Sequence, residues 1–368
     1  MSINPHFKIF LGLSEAERRI AYESAADMLN TSDKYIEKDL WTCHVLDALF
    51  NTVTTERTRL LFKGGTSLSK GYNVIQRFSE DIDITVFRED MGFAGDNDPA
   101  NPAMSNNQRR KVVQALVGKT AEYIQGDLRN TLLAELHDCH LRVDPKDDEG
   151  MTLLVEYDSL YENAPKEYIQ PHIKIEGGAR SALEPHSLQA VSPYIQSQLE
   201  DIDLCVTGIT TIDAERTFLD KLLILHGWHC GYRDQDRLPS EGQRLSRHYY
   251  DVATMATTTF ADRAINDMAL FNNVIDHAQM LYRRGWMKLD EIKTEGIKLI
   301  PQDELHKNLE TDYNLMKGML FGETPSFSSL MEHIKVLENN FNECILGETN
   351  SIEVPAEIRG DSAVTPSP

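Results

Sequence analysis

Two aspartates, Asp81 and Asp83, lie one residue apart in an apolar run that ends at Val86. Aspartate is disfavoured in strands, so this pattern needs an explanation. Alternate strand residues project from one face, which places both carboxylates on the side opposite Ile82 and Ile84. Carboxylates this close repel each other unless a proton or a cation lies between them. The run therefore predicts a strand with a cation site on one face.

A glycine pair precedes this strand. The short apolar run 60–62 leads into Lys63-Gly64-Gly65-Thr66, where glycine allows a tight turn and close approach of the backbone to a ligand. Thr66 or the following serine caps a predicted helix, and the free N–H groups at a helix start favour phosphate. Carboxylates suit Mg²⁺, which also takes phosphate oxygens from a substrate. The turn and the acidic strand together indicate nucleotide chemistry that depends on a divalent metal.

A second charged stripe occurs in HIKIEGGAR, residues 172–180. Strand alternation places Lys174 and Glu176 on one face and two isoleucines on the other. Glu176 is predicted to be a third metal carboxylate, and Lys174 is predicted to neutralise a triphosphate. The alternative for both is a solvated Lys–Glu stripe on the surface, and the alternative for Asp81 and Asp83 is the wet face of an edge strand.

The wider pattern predicts the α+β class: a mixed sheet with flanking helices, followed by a C-terminal helical domain. Predicted domains are an α/β domain with N-terminal helices at 1–210, a helical domain at 211–345 and a flexible tail at 346–368. The first helices include IEKDLWTCHVLDALF, where apolar residues recur every three or four positions. The other strand-like runs are 151–157, 172–176 and 204–209.

Charged residues also recur at helical spacing in the second half. In TTIDAERTFLDKLLILHG, Asp213, Arg216 and Asp220 share one helix face, with Lys221 beside them. The stretch RLSRHYYDVATM adds Asp251. Either cluster alone is more often a set of solvated ion pairs than a catalytic group.

Composition limits the partners and the location. The net charge of −21 excludes general coating of DNA, because such binding neutralises phosphates with a basic surface. No apolar run has the length of a membrane span, and five cysteines without a CxxC pair favour a reducing cytoplasm. An RNA partner needs a local basic groove, for which the candidates are Arg109, Arg110, Lys111, Arg233, Arg237, Arg244 and Arg247; a solvated loop is the alternative for both groups.

FKGGTSLSKGY…RFSEDIDITV, together with IEKDLWTCHVLDALF, ERTFLDKL and SRHYYDVA, resembles the AbiEii/AbiGii-type nucleotidyltransferase toxins. These are the toxin halves of bacterial type IV toxin–antitoxin and abortive-infection systems, within the DNA polymerase beta-like nucleotidyltransferase superfamily. The resemblance covers roughly residues 33–255. It implies transfer of a nucleoside monophosphate from a nucleoside triphosphate to an acceptor hydroxyl, with Mg²⁺ or Mn²⁺, and the existence of a cognate protein antitoxin. Relatives either bind GTP or extend the 3′ end of tRNA.

The resemblance also implies residue roles. The catalytic residues are Asp81, Asp83, Lys174 and Asp220. The nucleotide-binding residues are Lys63, Gly64, Gly65, Thr66, Ser79 and Lys221, with Arg77 also near the phosphates. The metal ligands are Asp81 and Asp83, to which strand alternation adds Glu176.

Two further interpretations remain open at this stage. One is a metal-dependent glycosyltransferase, in which a DxD motif binds a sugar nucleotide; the missing series of βα units disfavours it. The other is a non-catalytic sensor module with a nucleotidyltransferase fold. The joint presence of Asp81, Asp83 and Lys174 disfavours a degenerate site.

Overall fold

The computed structural model describes residues 3–52, 58–161, 170–239 and 244–347. The predicted α+β class is confirmed: a mixed sheet of seven strands is accompanied by many helices, and the region after residue 212 is helical. The strands are β1 Leu60–Lys63, β2 Asp81–Val86, β3 Cys139–Val143, β4 Thr152–Tyr157, β5 His172–Gly178, β6 His186–Val191 and β7 Val206–Ile212.

The helices are α1 His6–Leu11, α2 Glu15–Leu29, α3 Asp33–Asn51, α4 Gly64–Thr66, α5 Asn106–Tyr123, α6 Arg129–Glu135, α7 Ala214–Gln235, α8 Ser246–Met255, α9 Thr259–Asn266, α10 Met268–Leu281, α11 Ile292–Glu295, α12 Asp303–Met316 and α13 Phe327–Leu346. Serine side chains cap several of these helices, and both Ser14 and Ser105 form capping boxes. Among the described residues, no helix is both long and apolar enough to span a bilayer.

The strand order is β3-β4-β5-β2-β1-β7-β6. Strand β2 runs antiparallel to β1 and parallel to β5, so the two strands with charged stripes are direct neighbours. One face of the sheet is apolar: Ile82, Ile84, Ile173 and Ile175 are fully buried there. Helix α3 packs across this face. The charged face is therefore the one opposite α3.

Helix α3 confirms the predicted periodicity. Ile36, Leu40, Cys43 and Leu46 are fully buried, and Phe50 packs against the same core while half-buried. A helix with this apolar stripe gains stability by burying it against a sheet rather than from its intrinsic propensity.

The chain divides into two compact units. The first contains the described residues as far as Thr217, together with His277–Arg283 and Gly318–Thr324; the second contains the remaining described residues. The sequence-based boundary at residue 210 stays a prediction. Of the predicted tail, Leu346 ends α13 and Gly347 caps it, while 348–368 lie outside the described residues.

Candidate active site

The glycine turn lies where β1 ends. Gly64 has a φ of +80°, a conformation that glycine adopts without a steric penalty. A Cβ atom on Gly64 would lie 2.0 Å from Asp83 Oδ2. Gly64 is therefore needed both for the backbone conformation and for the contact between this turn and the acidic strand.

The second glycine makes room for an arginine. A Cβ atom on Gly65 would lie 2.4 Å from Arg77 Nη2 and 3.1 Å from Ser79 Oγ. The Arg77 side chain is almost fully buried, and its backbone forms a bridge with Leu320. Arg77 and Ser79 thus flank the turn, as expected from their places before the acidic strand.

Thr66 joins the turn to β2. Its hydroxyl lies 2.8 Å from Ser79 Oγ and forms a hydrogen bond with the backbone carbonyl of Asp81. Ser67 continues the turn by donating to the Gly64 carbonyl at 2.9 Å. Thr66 is fully buried, so its side chain fixes the position of the turn.

Strand register brings the charged residues together. Lys63 on β1 pairs with Asp83 on β2, and Asp83 pairs with Glu176 on β5, which forms one row across three strands. Asp81 pairs with Lys174 in the next row. Residues paired in register share a face, with Cβ atoms about 5 Å apart. The structure therefore places these five side chains side by side on the charged face.

Ion pairs link this group. Lys63 Nζ lies 3.5 Å from Asp83 Oδ1, and Lys174 pairs with Glu176. Burial by itself lowers the pKa of Lys63, but the charges of Asp83, Tyr282 and Glu176 outweigh it and raise that pKa. Burial also opposes the positive charge of Lys174, yet the bond to Glu176 and nearby carboxylates raise its pKa. Both ammonium groups are therefore protonated at neutral pH.

The donor set fits a hard cation. Asp81 and Asp83 offer carboxylate oxygens on one face, which is the ligand type that Mg²⁺ takes alongside water and phosphate oxygens. In the part of the chain that the structure describes, no group of three or more His, Cys, Asp or Glu side chains is arranged to hold a metal ion by itself. Glu176 is paired with Lys174. Water and substrate oxygens would thus complete the coordination of a metal on the two aspartates.

The charged candidates in and just before α7 belong to different units. Asp213 accepts from Ser187 Oγ at 2.8 Å, and Arg216 donates to the Glu184 carbonyl at 3.3 Å, both within the first unit. Asp220 and Lys221 belong to the second unit. There Lys221 forms a buried ion pair with Asp251, at 2.9 Å, and its Nζ lies 3.3 Å from His248 Nδ1.

The two candidate basic groups differ in how their charges are used. Arg109 is buried and donates to the carbonyls of Pro99 and Asn101, whereas Arg110 and Lys111 are exposed on α5. In the other group, Arg233 pairs with Asp234 and Glu291. Arg237 lies over the Trp286 ring at 4.3 Å.

Sequence reasoning did not single out the buried charges of α3, which are Glu37, Lys38 and Asp39. Lys38 forms an ion pair with Glu80, and Asp39 forms one with Lys70. A signal for Asp39 was present, because it lies three residues after Ile36 and four before Cys43, on the predicted apolar face. A charge at such a position requires a partner.

The family model for the nucleotidyl transferase AbiEii toxin of type IV toxin–antitoxin systems matches residues 47–335. The chain belongs to the AbiEii nucleotidyltransferase toxin family. The predicted family and the predicted enzyme class are confirmed, and an AbiEii-family toxin implies a partner antitoxin.

Comparisons with individual proteins are more distant. No curated protein matches this AbiEii-family chain. Among solved structures, MenT4, a nucleotidyltransferase toxin from Mycobacterium tuberculosis H37Rv, matches with 17% identity and a TM-score of 0.45. The match covers 90% of this chain and 94% of MenT4.

Proposed function

We propose that this toxin transfers a nucleoside monophosphate from a nucleoside triphosphate to the 3′-terminal hydroxyl of tRNA, with Mg²⁺ or Mn²⁺ bound by Asp81 and Asp83. The observation that supports this is the row formed by Lys63, Asp83 and Glu176, with the Gly64 backbone in contact with Asp83. Nucleotide-phosphate and metal positions are then adjacent, as phosphoryl chemistry requires.

In the proposed reaction, the acceptor hydroxyl oxygen forms a bond with the α-phosphorus. The bond from this phosphorus to the oxygen that bridges it to the β-phosphorus breaks, pyrophosphate leaves, and the hydroxyl proton passes to water. Asp81 and Asp83 would hold the metal, which would supply charge neutralisation and a lower pKa for the attacking hydroxyl. The turn of Gly64, Gly65 and Thr66 offers backbone N–H groups to the phosphates. Lys174 and Lys63, both protonated, stabilise the charge that develops on phosphate oxygens.

The other candidate site residues are assigned the following roles in this reaction. We assign Glu176 as the third carboxylate, released from Lys174 when the lysine turns to the triphosphate. Ser79 lines the turn beside Gly65. Asp220 is assigned a catalytic role from the family resemblance. Lys221 stands among the nucleotide-binding candidates, but its buried pair with Asp251 favours a structural role.

The test is a transfer assay with purified protein, each α-³²P-labelled triphosphate, and total bacterial RNA or protein as acceptor. We expect label in tRNA with Mg²⁺ or Mn²⁺ and none with EDTA. Periodate-oxidised tRNA, which lacks the 3′-terminal diol, should accept no label. Label in protein or in other RNA would overturn the proposed acceptor, and equal transfer in EDTA would overturn the metal requirement.

We also propose that the enzyme acts in the cytoplasm as part of anti-phage defence, because tRNA is found there and loss of usable tRNA stops translation. Expression of the toxin together with its antitoxin should reduce phage plaque formation, and Asp83→Ala in the toxin should abolish the reduction. Equal plaque numbers with the wild type and the variant would contradict a defence role.

A further inference from the structure

Helix α3 contains a charged triplet, Glu37, Lys38 and Asp39, in which every residue is at most 3% exposed. Buried charges persist only where partners compensate for the lost water. Consecutive helix residues point about 100° apart, so the three side chains reach three different segments. Asp39 and Lys38 reach segments next to the candidate site, and Glu37 does not.

Asp39 contacts the residue segment that continues the glycine turn. Its carboxylate lies 2.8 Å from Lys70 Nζ and accepts the Tyr194 N–H at 2.6 Å. Lys70 belongs to the π-helical turn Ser67–Gly71, which directly continues Gly64–Thr66. The Lys70 ammonium also lies 3.5 Å from the Tyr194 ring centre. A buried ion pair thus connects α3 to the turn.

Lys38 contacts the residues that precede β2 and β5, the two strands with charged stripes. Its ammonium lies 2.9 Å from Glu80 Oε2 and donates to the Gln170 carbonyl at 3.1 Å. Glu80 directly precedes β2, and Gln170 lies two residues before β5. One buried ammonium therefore joins the starts of the two parallel strands whose register pairs Asp81 with Lys174.

Glu37 provides a matched comparison. It accepts the Leu160 N–H at 2.8 Å and the Ser159 hydroxyl, in the segment that follows β4. This segment contains none of the proposed site residues. Glu37 shares the helix, the burial and the charged character of its two neighbours, but not their connection to the site.

We propose that Lys38 and Asp39 are positioning residues for nucleotide transfer, because they fix the phosphate turn and the two charged strands relative to α3. The inference rests on the proposed function of that turn and those strands. Misplacement of reacting groups by about 1 Å costs about 100-fold in rate. Loss of either buried pair should therefore slow catalysis even in a folded protein.

The decisive variants neutralise both members of a pair, so that no buried charge is left alone. These are Lys38→Met/Glu80→Gln and Asp39→Asn/Lys70→Met, with Glu37→Gln as control. Replacing a buried ion pair by neutral groups often leaves stability unchanged. We expect kcat for tRNA labelling to fall about 10- to 100-fold in both double variants, with a smaller change in KM for the triphosphate. Glu37→Gln should keep the wild-type kcat.

Wild-type kcat in both double variants would overturn the inference, because the pairs would then serve stability alone. An equal fall in Glu37→Gln would also overturn it, since any change in α3 would have the same effect.

Backbone hydrogen exchange tests the inference without any substrate. Asp39→Asn/Lys70→Met should accelerate exchange in residues 64–71, and Lys38→Met/Glu80→Gln should accelerate it in 79–83 and 170–174. Exchange in β3 should stay at the wild-type rate in both. If wild-type protein labels no acceptor, the proposed function fails while the exchange pattern still decides the positioning role. Uniform acceleration, or none, would refute that role.

Discussion

Two of the lysine–aspartate pairs in the molecule differ in their exposure to water. Lys63 and Asp83 lie 3.5 Å apart with side chains 26% and 25% exposed, whereas Lys221 and Asp251 lie 2.9 Å apart with side chains 7% and 0% exposed. Water screens the first pair, so it contributes at most about 1 kcal/mol to stability. Breaking the second leaves a buried charge and costs about 3–5 kcal/mol. Lys63–Asp83, the open pair, can therefore exchange its ionic contact for one with a ligand. Lys221–Asp251, the sealed pair, stabilises the fold.

The largest expected effect is on the open pair. Asp83→Asn should reduce nucleotide transfer about 1000-fold, because it removes a metal ligand and the charge that organises the row, while Tm stays near the wild-type value. Glu156→Gln is the control: Glu156 pairs with Arg142 on a neighbouring strand, and its side chain is 36% exposed. Its transfer rate should equal that of the wild type. A large fall in Tm for Asp83→Asn would show that the open pair is structural after all.

The sealed pair should respond in the opposite way. Lys221→Met should lower the free energy of unfolding by about 3–5 kcal/mol, since Asp251 loses its buried partner. Lys63→Met should lower it by less than about 1 kcal/mol. Urea unfolding of both variants measures the difference.

The double variant Lys221→Met/Asp251→Leu separates structure from nucleotide binding. It should recover most of the stability lost in Lys221→Met, because the buried carboxylate is removed together with the ammonium group. Recovered stability without triphosphate binding would instead favour direct contact between Lys221 and the nucleotide.

The glycine turn gives the third comparison. Gly64 and Gly92 have similar φ values, +80° and +83°, but a Cβ atom would meet Asp83 at Gly64 and nothing within 4 Å at Gly92. Alanine should cost about 1–2 kcal/mol of backbone strain at either position. Only Gly64→Ala should also reduce transfer, about 100-fold, by displacing the Asp83 carboxylate. Equal activity of the two variants would contradict a role for the Gly64–Asp83 contact.

These comparisons show what the sequence can and cannot reveal. Strand alternation was enough to place Asp81 and Asp83 on one face and Lys174 and Glu176 on another strand face. It could not show that the two strands are neighbours, because pairing between β2 and β5 depends on the path of the whole chain. The partners of Lys38 and Asp39 were hidden for the same reason.

Fold prediction failed where the apolar signal is weak. Strands β3 and β6 were not predicted, and both lie at the edges of the sheet, where only one side chain of each strand is buried. An edge strand needs little apolar alternation, so its sequence resembles a loop. Central strands β2, β4, β5 and β7 were predicted because each buries at least one face.

The last expected effect concerns an uncharged histidine in the unit that contains the Lys221–Asp251 pair. Burial lowers the pKa of His226 to about 4, and its Nδ1 accepts the Lys298 N–H at 3.0 Å. The unfolded chain takes up a proton below about pH 6.5, whereas the folded chain does so only near pH 4. The unfolded state thus binds more protons between these values, so stability falls as pH drops, by about 1.4 kcal/mol per pH unit.

His226→Gln should reduce the pH slope of stability between pH 6.5 and 4.5 by this amount. Two of the three tryptophans, Trp228 and Trp286, belong to the same unit, so their fluorescence in urea at several pH values gives the measurement. The control is His333→Gln, which changes a half-exposed histidine of α13 and should leave the slope as it is. If His226→Gln retains the full slope, another group must titrate, and the histidine is not what makes the interior of this unit sensitive to acid.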